Sequence, residues 1–194
     1  MTLPAQEAAP TVEERRAARR ANQTTFNLVI ALIASLGIVV LLVAVVVRPD
    51  LTRPSVDYRE VGAGAQGSLA EPILVPDLPD GWSANRAEIF ADPADGVPRW
   101  DVGFLTPEGD YIRLVQGIDA NPSWLADQVK SARAGGVENF GGLSWDSYDR
   151  RDVADPGNVE FALVTTADTS TIVLSGTASD EEFAVLAKAV ADAR

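Results

Sequence analysis

The chain is 194 residues long, 46% apolar and of net charge −12, with neither cysteine nor histidine. That length holds one domain with appendages, and the composition removes disulfides, thiolate nucleophiles, sulfur-ligated zinc and the commonest general base. Residues 1–25 carry four arginines against three acids (+1), whereas residues 54–194 carry ten basic and 24 acidic side chains (−14), a body expected to repel nucleic acid and anionic lipid headgroups and to favour cationic partners.

The first predicted element is a helix. Thr11 and Glu14 form a capping box, so a helix is expected from near Val12, through EERRAARR and onward without a break. The run FNLVIALIASLGIVVLLVAVVV, Phe26 to Val47, holds 22 residues without a charge. As a helix it is roughly 33 Å long, enough for a hydrocarbon core of about 30 Å. A buried helix of a soluble protein would keep a polar stripe, and this one has only Asn27 and Ser35. A cleaved signal peptide would have a shorter apolar region and small residues at a cleavage site, where this run ends in VAVVVRPD. No lipobox cysteine follows. An uncleaved signal anchor is therefore expected, with the bilayer as a partner through Phe26 to Val47. Arg15, Arg16, Arg19 and Arg20 cluster before it, while Arg48, Arg53 and Arg59 mingle with acids after it, which predicts a cytoplasmic N-terminus. Ala31 and Ser35 make one small-xxx-small pair, the basis of a weak homodimer through the span.

Residues 48–71 read as a juxtamembrane linker with a short strand at Val56–Tyr58. Within them Gly62-Ala63-Gly64-Ala65-Gln66-Gly67 spells G-x-G-x-x-G, and Glu88 stands near the offset of a ribose-binding acid. That fingerprint needs a crossover helix after the glycines, and Pro72, Pro76 and Pro79 deny it. The spacing is read as chance, and no cofactor is expected.

From Pro72 onward short strands alternate with turns. LPDGW opens a strand at WSANRAEIF. RWDVGFLT alternates apolar and polar positions, and Pro107-Glu108-Gly109 turns it into DYIRLVQGI, a hairpin. Asn121 caps a helix with Pro122 at its first position; Leu125, Val129 and Ala132 line one face, and Gly135-Gly136 ends it. Strands follow at Val137–Phe140, Leu143–Tyr148, VEFALVTTA and TIVLSGT. Ser179 and Glu182 then box the last helix, whose stripe is Phe183, Leu186, Ala187 and Val190. The predicted fold is α+β: an N-terminal transmembrane helix, then a mostly antiparallel sheet with two helices packed on one face. The predicted division is a cytoplasmic tail 1–25, the span 26–47, the linker 48–71 and an extracytoplasmic domain 72–194.

LPDGW, WDVGFLTPEGDYIRLVQG, GGLSWDSYDR and TIVLSGTASDEEFAVLAKAV, in this order after one apolar span, resemble an actinobacterial single-pass membrane family catalogued as domain of unknown function 4245. The resemblance covers roughly residues 54–194. It implies fold and topology and carries no chemistry. A looser similarity, in the order of elements, is to membrane-anchored domains of sigma-factor regulation and envelope sensing. The bias of fourteen arginines to two lysines fits a GC-rich genome.

Candidate sites are few. Asp92 and Asp95 beside Gly96 fall short of the ligand set of a calcium loop and read as a solvated turn. Asp146, Asp149, Asp152 and Asp155, with Arg150 and Arg151 among them, read as a charged loop. Most of the four tryptophans are expected in the core. Trp145 and Tyr148, beside Arg150, form the candidate binding surface. No Ser-x-x-Lys or Gly-x-Ser-x-Gly is present, and no catalytic or metal site is expected. The functional expectation is a non-catalytic, membrane-anchored extracytoplasmic module that binds an envelope or membrane protein. The alternatives are a regulator signalling through its basic cytoplasmic helix, and a hydrolase with paired carboxylates.

Overall fold

The computed structural model describes residues 29–39 and 55–194. Residues 29–39 form a helix, α1, in which every residue is exposed. Its large apolar side chains, Val29 and Leu32 through Val39, are 45% to 67% exposed and point all round the helix. Among the described residues no helix is long and apolar enough to cross a membrane. The rest of the expected 26–47 span, and the 1–25 tail with its capping box, lie outside the described residues.

The body contains helices α2 (Tyr58–Gly64), α3 (Pro122–Gln128) and α4 (Asp180–Asp192). Its strands are β1 (Ser83–Phe90), β2 (Arg99–Leu105), β3 (Tyr111–Ile118), β4 (Gly136–Phe140), β5 (Leu143–Asp149), β6 (Phe161–Ala167) and β7 (Ser170–Gly176). They form a seven-stranded sheet of order β1-β2-β3-β7-β6-β5-β4, and every neighbouring pair is antiparallel. Two meanders, β1–β3 and β4–β7, meet where β3 pairs with β7, with Leu114 opposite Leu174 and Val115 opposite Val173.

The α+β architecture is as expected, but the helices do not share a face. Trp100, Val102, Phe104, Leu114, Leu163 and Leu174 pack with Phe183, Leu186 and Val190 of α4 and with Tyr58 of α2. Strand positions of the opposite parity, Val115, Ala162, Val164 and Val173, pack with Trp124 and Val129 at α3. So α4 and α2 cover one face, and α3 covers part of the other. The reason is visible in β6 and β7, where FALV and IVL are apolar at successive positions and need burial on both sides. All seven residues of β7 are buried.

The linker expectation is also corrected, because residues from 55 onward belong to the body. The Asp57 carboxylate accepts from the Arg59 and Glu60 amides and starts α2, while Val56 N–H donates to Ala84 O at 2.8 Å. Gly62 lies inside α2 and is buried. A Cβ there would meet Val75 Cγ2 at 2.6 Å, so this glycine of the G-x-G-x-x-G serves packing. The following irregular segment buries Leu69, Ile73 and Leu74 without a strand partner. Buried side chains satisfy its backbone instead. Gln116 Oε1 accepts from Leu74 N–H (3.0 Å) while its Nε2 donates to Pro72 O (2.9 Å). Trp100 Nε1 donates to Leu74 O (2.9 Å) and Tyr58 OH to Pro76 O (2.8 Å).

Helix α3 begins as predicted, with Asn121 Oδ1 accepting from Trp124 N–H at 2.9 Å. It ends at Gln128, well before Gly135. Ser131 N–H donates to Ala126 O (2.7 Å) and Lys130 N–H to Asp127 O (3.3 Å), the paired bonds of a Schellman closure. Its left-handed position, usually glycine, is Lys130 at φ +55.

Candidate functional site

The residues nominated by sequence do not form one surface. Trp145 is fully buried in the core beneath α4. Tyr148, of opposite strand parity, packs against the α3 cluster on the other face. Arg150 donates to Pro156 O (3.0 Å) and Val159 O (2.6 Å), which folds the 150–159 loop on itself. Trp100 and Trp124 are core residues as expected, and Trp82 is half-buried against Phe104. Asp95 accepts from Val97 N–H and from Arg99 at 2.9 Å, as a turn does.

The chemistry gathers elsewhere, on the α3 side of β1, β2 and β3. Arg86 and Arg113 flank Gly103 in register from the two neighbouring strands. Both reach one step along the sheet, the diagonal distance open to long side chains, to Asp101. Asp101 is 1% exposed. One of its oxygens accepts from Arg86 at 2.6 Å, and Arg113 grips it through Nε (3.0 Å) and a terminal nitrogen (2.5 Å). The remaining arm of Arg113 donates to Gln128 Oε1 of α3 at 3.1 Å. Burial alone would lower the Arg113 pKa, but the hydrogen bonds and charge of Asp101 outweigh it and hold the guanidinium above its usual value.

A cleft of about 420 Å³ opens beside these groups, lined by Arg86, Tyr111, Arg113, Lys130, Ser175 and the Pro156–Val159 segment. Gly103 makes room for its wall, because a Cβ there would stand 3.0 Å from the Tyr111 ring and 2.4 Å from Asn85 Oδ1. Burial raises the Tyr111 pKa against the opposing pull of Arg86 and Arg113. Tyr111 therefore stays a phenol, able to donate, at neutral pH. Among the described residues no carboxylate lines the cleft, and the neighbouring Asp101 is already engaged by two guanidiniums. Arg86, held to a buried acid through one nitrogen with the rest of its fork uncommitted, and a phenol and an ammonium in the same lining suit the recognition of an oxyanion, while Arg113 adds its charge. On the α4 side a smaller depression of about 180 Å³ contains Glu71 and Asp168. Glu71 accepts from Thr169 Oγ1 (2.6 Å) and Asp168 from Arg194 (3.3 Å), so both acids already have partners.

A sequence signal for the cleft existed in WDVGF. Asp101 alternates with buried positions in a strand covered on both sides, and a buried carboxylate needs cationic partners. Those partners come from two other strands, so only pairing register identifies them.

A family model described as "Protein of unknown function (DUF4245)" matches residues 20–190. The chain belongs to this family. The matched range includes the Arg86–Asp101–Arg113 cluster and the cleft around it. Neither the search of curated proteins nor that of solved structures found a match. The family description names no activity, so function rests on the site.

Proposed function

We propose that this protein is a membrane-anchored, extracytoplasmic, non-catalytic binding module of the cell envelope, and that it engages an anionic group on its partner through the α3-side cleft. The observation that carries the binding role is the cleft itself: Arg86 and Arg113, held by one buried aspartate, with Lys130 and a phenol in the same lining, in a body whose residues 54–194 sum to −14. The anchor is supported by the uncharged run Phe26–Val47, whose described part carries exposed apolar side chains on every side. The basic cluster Arg15–Arg20 supports a cytoplasmic N-terminus, which would place the body outside.

The test is crosslinking of the full-length chain in the membranes of its host, comparing the wild type with Arg86→Gln. A partner recovered in fixed proportion with the wild type and depleted with Arg86→Gln is expected. Equal recovery with both would remove the cleft from the interaction.

A further inference from the structure

The cleft's charge points to the class of ligand. Arg86, Arg113 and Lys130 supply three positive charges and Asp101 one negative, leaving a surplus of two. We propose that the cleft binds the phosphate of a phosphomonoester, a group that carries close to two negative charges at neutral pH. This deepens the reading of the cleft as an anion site and rests on it. A carboxylate would match half of that surplus and use one plane of donors, whereas Arg86, Tyr111 and Lys130 come from two strands and a helix terminus. A volume of about 420 Å³ exceeds what a phosphate ion needs and leaves room in the cleft for the organic part of an ester.

Lys130 supplies an independent observation. It occupies the left-handed position of the α3 closure at φ +55, where glycine costs least. Ser131 shares that φ, and of the two only Lys130 lines the cleft. Two sources share the chemistry: a free phosphomonoester, and the terminal phosphate of a lipid headgroup.

The test uses the full-length chain in nanodiscs of a zwitterionic lipid, titrated calorimetrically with glycerol phosphate, short-chain phosphatidic acid and acetate. Both phosphomonoesters are expected to bind saturably at one site per chain, and acetate more than tenfold weaker (about 1.4 kcal/mol). Arg86→Gln leaves Asp101 held by Arg113 and should weaken binding about tenfold. Lys130→Gly suits its backbone, so its fold persists, and a several-fold loss there is also expected. Arg59→Gln, at the separate Arg59–Asp77 pair, should bind as the wild type does. Tighter binding of phosphatidic acid than of glycerol phosphate assigns the lipid source, and the reverse assigns the free one. Acetate binding as tightly as phosphate overturns the phosphomonoester assignment but keeps an anion site. No saturable binding of any of the three, or binding untouched by both cleft variants, overturns the site itself.

Discussion

Lys130 sets stability against function within one residue. A non-glycine residue at φ +55 costs on the order of 1 kcal/mol relative to glycine. Lys130→Gly is therefore expected to raise the unfolding free energy by about 1 kcal/mol, read as a higher urea midpoint at unchanged slope. A lower midpoint would show that the lysine side chain contributes to the fold. Asp101 behaves in the opposite way. Asp101→Ala strands two guanidiniums and should cost about 3 kcal/mol, whereas Arg86→Gln, which keeps the Arg113 grip, should cost under about 1 kcal/mol. Equal losses for the two would mean that Arg86, not Arg113, carries the buried charge. At this scale the sequence is hard to read. Trp145 and Tyr148 are aromatic neighbours in the text yet lie on opposite sheet faces, and Lys130 terminates a helix where no glycine marks the stop.

Local signals located the elements better than they located the residues between them. The hairpin at Pro107–Gly109, the Asn121 cap and the Ser179–Glu182 box are all present, because each depends on neighbours in sequence. What local signals could not give is cover. The apolar runs of β6 and β7 imply two buried faces, but which helix lies on which face depends on the path of the chain after β3. The irregular strap after α2 reads as linker in sequence because its hydrogen-bond partner, Gln116, is 42 residues from Leu74. Gln116→Leu removes these bonds and leaves buried strap groups unpaired, so a loss of roughly 2–4 kcal/mol is expected. A loss under about 0.5 kcal/mol in urea unfolding would mean that the strap is held by its apolar residues alone.

For the whole molecule, titration and topology give separate tests. All three tyrosines have raised pKa values, in each case chiefly through burial. In the unfolded chain they ionise near pH 10, and in the folded protein above that. Across that window the unfolded state has lost protons that the folded state keeps, so stability falls as pH rises. With no histidine or cysteine, stability should be nearly flat from about pH 6 to 9 and decline above about 10. A decline beginning near pH 8 would point to another group. The same lack of cysteine lets thiol labelling report whether the body is anchored and lies outside the cytoplasm. Single-cysteine variants Ala8→Cys and Ser123→Cys of the full-length chain are expressed in the host and exposed, in intact cells, to a membrane-impermeant thiol reagent. Both proteins are expected in the membrane fraction, with Ser123→Cys labelled in intact cells and Ala8→Cys labelled only after lysis. Labelling of Ala8→Cys in intact cells with Ser123→Cys protected, or recovery of both in the soluble fraction, would contradict that arrangement.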